Sequence, residues 1–255
     1  MPCYIHSNIL RSLGTFDDVP LTAMTDALSE ALHLVTTLDA GLVEIVGLSF
    51  KVTLTALLIA ALVGLPLGAA LAVARFPGRG AMTLVMQSLM GLPPVVVGLA
   101  VYLLLSNSGP LGVLQLLYTP GAMIIAQTIL ITPIITSLTR QTIADLASEY
   151  DEQLRALGAG AWTQVQTLLW DARYSLITAL LAGFGRAVAE VGAVMIVGGN
   201  IDHVTRTMTT AIALETSKGN LPLALGLGII LLIISLAVTA LASSLKTTAQ
   251  RSAYA

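Results

Sequence analysis

Apolar residues run through this chain in stretches far longer than a soluble helix needs, and the few polar passages between them set its organisation. No charge occurs from Val52 to Ala74, which meets the ~20 residues a helix needs to cross a bilayer. Gly64, Pro66 and Gly68 within it predict a bend. The next charge-free stretch, Gly80 to Thr139, is too long for one span, and the turn residues Ser106-Asn107-Ser108-Gly109-Pro110 divide it. That predicts spans over 82–105 and 120–139, with Leu111 to Tyr118 left as a short interfacial or re-entrant piece. Two more apolar stretches, 174–197 and 222–245, bring the expectation to five spans in an all-α membrane protein. Before them, Leu21, Met24, Leu28, Leu32 and Val35 share one helical face with Asp26, Glu30 and His33 off it. Such a helix lies in the membrane interface or packs across other spans.

Ser148 to Arg173 is the one long polar passage inside this pattern. Ser148 with Asp151 three residues on reads as a helix start, and Tyr150, Leu154 and Leu157 recur at helical spacing. Gly158-Ala159-Gly160 permits a sharp turn, and a second helical pattern follows through Trp162, Val165, Leu168, Leu169 and Ala172. The expectation is a short helix, a turn and a second helix, held outside the bilayer.

Composition agrees with the pattern. The chain has 255 residues, 56% hydrophobic and 10% charged, with mean hydropathy +0.88, whereas a soluble domain carries about 25% charged residues. A net charge of -2 offers no basic face for nucleic acid. The single cysteine, Cys3, and the scattered His6, His33 and His203 show no metal-ligand spacing. The first twenty residues lack the apolar core of a secretory signal. Arg75, Arg79, Arg140, Arg155, Arg173, Lys246 and Arg251 fall on one side of the five spans, while the opposite loops hold Arg206 and Lys218. The positive-inside rule then puts the polar passage and the C-terminus in the cytoplasm and the N-terminus outside.

Arg186 and Glu190 lie four residues apart near the middle of the fourth span. A charge there costs about 2.5 to 3.5 kcal/mol on insertion scales, so two of them need a reason. They form a buried pair fixing helix register with polar neighbours such as Gln87 or Gln127, or they line a polar path for an anion; the sequence leaves both open. Pro93-Pro94 bends the second span, and Gly198-Gly199-Asn200 ends the fourth as a C-cap or, with Thr205 and Arg206, meets an oxyanion.

Three of these passages resemble one family. Glu152-Gln153-Leu154-Arg155-Ala156-Leu157-Gly158-Ala159 is similar to the cytoplasmic EAA loop of binding-protein-dependent ABC importer permeases, although Gln153 and Leu154 stand where the family often has alanines, and Asp171 where many members carry proline. The resemblance implies that Glu152, Ala156, Gly158 and Ala159 dock on an ATPase subunit. Gly185-Arg186-Ala187-x-x-Glu190-x-Gly192, then Gly198-Gly199-Asn200-Ile201 and Thr205-Arg206-Thr207, resembles the permeases for molybdate, tungstate and sulfate. Glu190 to Asn200, Thr209 to Gly219 and Gly91-Leu92-Pro93-Pro94 look most like the tungstate branch. On that resemblance the expected architecture is an ABC type I transmembrane domain over 42–246, with the coupling loop at about 140–173. Residues 1–41 precede it and a short tail, 247–255, follows. The expected pathway residues are Arg186, Glu190, Pro93, Pro94, Asn200, Thr205 and Arg206.

The resemblance also implies partners: an ABC ATPase, an extracytoplasmic solute-binding protein, and a second copy of this chain. No glycine-rich phosphate loop precedes Lys51, Lys218 or Lys246, so ATP and Mg are expected on the partner ATPase, with no cofactor in this chain. No paired histidines, activated cysteine or Gly-x-Ser-x-Gly elbow suggests catalysis.

Overall fold

The computed structural model describes residues 29, 31–33, 36, 37, 39–74 and 76–253, without the side chains of 151, 152, 155, 161 and 245–253. The amphipathic helix expected over 21–38 and the charge of Arg75 lie almost wholly outside the described residues.

Helix α1 (Ala40–Val73) begins where the Asp39 carboxylate accepts from the amides of Gly41 and Leu42, at 3.0 and 3.2 Å. At 1.5 Å per residue its 34 residues extend about 51 Å, longer than the hydrocarbon layer. It starts twelve residues before the expected span, and it is one helix through Pro66, so the bend predicted from Gly64, Pro66 and Gly68 does not divide it. The glycines serve a different purpose. α1 packs most extensively against α4 (Pro120–Ala156), and a Cβ at Gly68 would lie 2.5 Å from the Thr136 carbonyl oxygen. Gly64 meets Ile135 in the same seam. Small residues bring two backbones together where lipid offers no hydrophobic drive for helix association.

The second span is not a straight helix. α2 (Arg79–Leu89) and α3 (Pro94–Leu105) meet at 103°. Pro93 and Pro94 carry no amide hydrogen, so the helix cannot continue, and Pro94 opens the next one. Arg79 crosses back to donate to the carbonyls of Leu71 and Ala72, both at 2.7 Å, satisfying the end of α1. The piece from Leu111 to Tyr118 holds a 3-10 turn over Gly112–Leu114, and the Tyr118 amide donates to the Val197 carbonyl.

α4 has 37 residues and runs past the expected third span into the polar passage. Ser148 therefore starts no helix. It sits inside α4 with its hydroxyl donating to the Asp145 carbonyl at 2.7 Å. The remaining elements are α5 (Ala161–Asp171), α6 (Arg173–Val188), α7 (Gly192–Gly198), α8 (Met208–Lys218) and α9 (Leu221–Ala253). α6 and α7 form a second broken element, bent by 56°, in place of the continuous fourth span. α8, for which the sequence suggested only a loop, opens with a capping box between Thr207 and Thr210. α9 carries the fifth span and continues through the expected tail to Ala253.

By length and composition α1, α4 and α9 can each cross a membrane, and the number rises to at most five where each bent pair counts as one span. The main core joins Val52, Ala56 and Ala60 of α1 to Val97 and Val101 of α3, Ile131 and Ile135 of α4 and Val194 of α7. Large side chains such as Leu58, Leu62, Leu84, Leu103 and Leu236 stay exposed. This is the arrangement of a protein whose outer surface meets lipid or another helix.

Candidate functional site

α1 serves as a ruler for the candidate residues. The loop after α7 meets its start at Glu44, the broken element α6/α7 passes its middle, and α5 packs near its end at Ala69 and Ala72. Glu44 and Ala69 are twenty-five positions apart, or about 38 Å along a helix. The structure therefore does not gather the sequence-derived residues into one site. It distributes them over three levels.

At one end is the elbow. Gly158 takes φ +64°, the left-handed value glycine adopts at least cost, and the Ala159 amide returns to the Leu154 carbonyl at 3.0 Å. The Gln164 side-chain amide donates to the Ala159 carbonyl, which fixes α5 against the turn. Val165 and Leu168 of α5 are buried against Ala69 and Ile143, so the elbow is anchored from within. Its outer side is uncovered: Leu157 is 82% and Trp162 67% exposed. Ala156 and Gly158 are exposed and Ala159 half-buried beside them, while the side chain of Glu152 lies outside the described residues. Sequence reasoning placed Leu157 and Trp162 only in a helical pattern. Two large apolar side chains flanking a Gly-Ala-Gly turn were the available signal for an uncovered tip.

At the middle level, α6 stops at Val188 and Glu190 starts α7. The Glu190 carboxylate is buried at 4% exposure and accepts from the Ala193 amide at 2.9 Å. Its backbone carbonyl accepts from the Thr209 hydroxyl at 2.8 Å, and the Ala187 carbonyl accepts from the Gln127 side chain at 3.1 Å. At this break in the helical ladder the Glu190 carbonyl takes its donor from α8, and the Ala187 carbonyl accepts from the Glu190 amide at 3.3 Å as well as from α4. Arg186 approaches Glu190 at 3.9 Å with its own side chain 38% exposed. Of the two expected neighbours, Gln127 is present at the break, and Gln87 is exposed on α2. The structure thus buries the carboxylate as a helix cap and leaves the guanidinium facing outward.

Pro93 and Pro94 join this level through α3. A Cβ at Gly98 would stand 2.7 Å from Ala193 Cα, and Gly192 faces Val95, so the second halves of the two broken elements pack closely together.

At the far end, Gly199 closes α7 with φ +72° and its amide on the Met195 carbonyl. Thr205 is fully buried; its hydroxyl donates to the Gly198 carbonyl at 2.6 Å and accepts from the Ile201 amide at 2.9 Å. In this conformation Thr205 staples its own loop. Asn200 donates to the Thr210 carbonyl at 3.3 Å, and Arg206 pairs with Asp202 at 2.8 Å. His203 reaches back to Glu44 at 2.7 Å, beside a cavity of about 450 Å³ also lined by Lys51, Asp202 and Arg206.

The hydrogen bond to Glu44 holds the His203 pKa above its ordinary 6.5, helped by the charges of Glu44 and Asp202. A raised folded value means that the imidazolium clamp contributes fully below the unfolded pKa and is lost as pH rises through the folded one. We expect the unfolding temperature of the purified chain to fall as pH rises above the ordinary histidine value of 6.5, and His203→Gln to remove that part of the fall. A His203→Gln profile superimposable on the unsubstituted one would exclude the clamp.

Residues 64–249 match the family described as binding-protein-dependent transport system inner membrane component. The chain is 42% identical over 210 residues to the probable anion ABC transporter permease protein of Haloferax volcanii, covering 80% of this chain and 90% of that one. It is 42% identical over 216 residues to the tungstate uptake system permease protein TupB of Peptoclostridium acidaminophilum, covering 85% and 95%. The corresponding protein of Campylobacter jejuni is 38% identical over 165 residues, covering 65% and 69%.

Proposed function

Because this chain belongs to the family of binding-protein-dependent transport system inner membrane components, we propose that it is the membrane subunit of an ATP-driven importer whose cargo is tungstate. The observation that carries the mechanism is the elbow: a turn exposed on one side and locked on the other into the seam of α1 and α4. Movement of the tip is passed to α1, the element that also contacts the broken helices and the far loop. The cargo rests on the similarity to two tungstate uptake permeases.

In this reading two copies share a pathway on their two-fold axis, since five spans are few to enclose one. Arg186 presents its half-exposed guanidinium to the passing oxyanion, and the buried Glu190 carboxylate limits how long the anion stays. A separate ATPase binds ATP and Mg and closes on Leu157, Trp162 and the neighbouring Glu152, Ala156, Gly158 and Ala159. A solute-binding protein delivers the ion at the opposite face, near Asn200 and Arg206. The elbow and C-terminus face the cytoplasm and the N-terminus the outside, as the arginine distribution favours.

The test is reconstitution with the ATPase and the tungstate-binding protein. Replacing both Leu157 and Trp162 by alanine is expected to cut ATP-dependent uptake and substrate-stimulated ATPase activity at least tenfold. Membrane insertion should be unchanged, because neither side chain is buried. Full activity in that variant would dismiss the elbow as the coupling element. Uptake that survives ATP depletion while an ion gradient persists would replace the importer with a secondary carrier.

A further inference from the structure

An apolar groove of about 350 Å³ runs along the outside of α1, away from the elbow tip and from Arg186. Leu58, Leu62 and Pro66 form one wall, and Leu169, Leu176 and Leu180 the other. From Leu58 to Pro66 the wall extends about 12 Å along the helix, enough for much of one acyl chain. Every lining residue is apolar except Arg173, which stands on the second wall.

Arg173 is placed as a headgroup ligand would require. Its guanidinium lies 4.7 Å from the Trp170 ring centre and 4.5 Å from that of Tyr174, and one nitrogen donates to the Trp170 carbonyl at 2.6 Å. Contact with the two rings holds the exposed cation in place beside the groove. Among the described residues no carboxylate lies within 4.0 Å of it. Trp170 is itself 69% exposed, and Trp and Tyr concentrate at the level where acyl chains give way to headgroups. A neutral lipid would use the apolar walls and leave the cation unmatched. A soluble anion would use the cation and leave the walls bare.

We propose that this groove is a binding site for an anionic phospholipid, one acyl chain lying between α1 and α6 and the phosphate on Arg173. The lipid bridges α1 to the α5/α6 junction and so touches the inner anchor of the elbow. The site is independent of the cargo and of the pathway residues, and it requires only that α1 and α6 lie in a bilayer.

The two tryptophans allow a direct measurement. In a Trp162→Phe background, Trp170 reports alone, and chain-brominated phosphatidylglycerol or phosphatidylcholine in mixed micelles is titrated against the purified full chain. Trp170 should be quenched at a phosphatidylglycerol fraction about fivefold below that needed for phosphatidylcholine, the preference expected from one interfacial arginine. Arg173→Gln should bring the two lipids together, Arg173→Lys should restore part of the preference, and Leu62→Phe should weaken quenching by both. Equal quenching in the parent, or an undiminished preference in Arg173→Gln, overturns the proposal. So does loss of the preference in glycerol phosphate at millimolar concentration, which would mark a site for the free anion. Efficient disulfide cross-linking of two chains through Leu62→Cys would show that a second copy, not lipid, fills the groove.

Discussion

Replacing Gly68 with valine is expected to abolish accumulation of the folded chain in the membrane, and replacing it with alanine to destabilise it by about 1 to 3 kcal/mol, the usual cost of overpacking. A Cβ there meets the Thr136 carbonyl oxygen at 2.5 Å, Thr139 Cβ at 2.7 Å and the Arg140 amide nitrogen at 3.1 Å. Two of those are backbone atoms of α4, which cannot turn aside as a flexible side chain would. Helix propensity pulls the other way, since alanine is favoured over glycine by roughly 0.8 to 1 kcal/mol inside a helix. Gly47, on the same helix with nothing within 4 Å, isolates that second effect. Gly47→Ala should therefore be neutral or raise the unfolding temperature, while Gly68→Ala lowers it. Thermal unfolding of the two purified variants in one detergent checks the pair. If both shifted in the same direction, propensity would govern α1, and the close seam with α4 would not.

The all-helical class and its long apolar spans were legible because they depend on hydropathy and length, which are local, whereas the count stands at three to five. Pro93-Pro94 also announced its own break, since a missing amide hydrogen has the same effect in any surroundings. The interruption at Ala189 and Glu190 was hidden. Neither residue resists helix formation by itself, and the interruption depends on distant partners, Gln127 on the Ala187 carbonyl and Thr209 on the Glu190 carbonyl, together with the Glu190 carboxylate on the Ala193 amide. Ser148 misled for the converse reason. Its capping chemistry is real, but a hydroxyl inside a helix can bond a carbonyl of the preceding turn, as Ser148 does with Asp145. Gly158 could be read locally because a left-handed turn is a property of a few residues. The same holds for the Gly199 cap. The role of Thr205 could not, because its bonds to Gly198 and Ile201 depend on how the loop closes. Glycines 64 and 68 show both sides: their presence was plain, yet only the position of α4 separates a bend from a contact.

Glu190 is where stability and transport can be separated by two substitutions. Alanine removes the acceptor for the Ala193 amide, leaving a buried donor unsatisfied at about 1 to 3 kcal/mol, and opens a void in the same place. Glu190→Ala should therefore yield little folded protein. Glutamine keeps an oxygen within reach of that amide and fills nearly the same volume, so Glu190→Gln should fold and reach the membrane in normal amount. What it removes is the negative charge 3.9 Å from the Arg186 guanidinium. With that charge gone, the cation attracts an oxyanion more strongly and releases it more slowly. With the guanidinium partly exposed and 3.9 Å from the carboxylate, the difference is about 1 kcal/mol, or a factor of about five. In reconstituted vesicles Glu190→Gln should lower the half-saturating oxyanion concentration about fivefold and reduce the maximal uptake rate in parallel. Arg186→Gln should do the reverse to the half-saturating concentration. The split between the two parameters matters more than the loss of rate, because a damaged helix break would reduce the rate without tightening the ion. Unchanged uptake kinetics in Glu190→Gln would reduce this carboxylate to the cap of α7, and the pathway would then have to be sought away from Arg186.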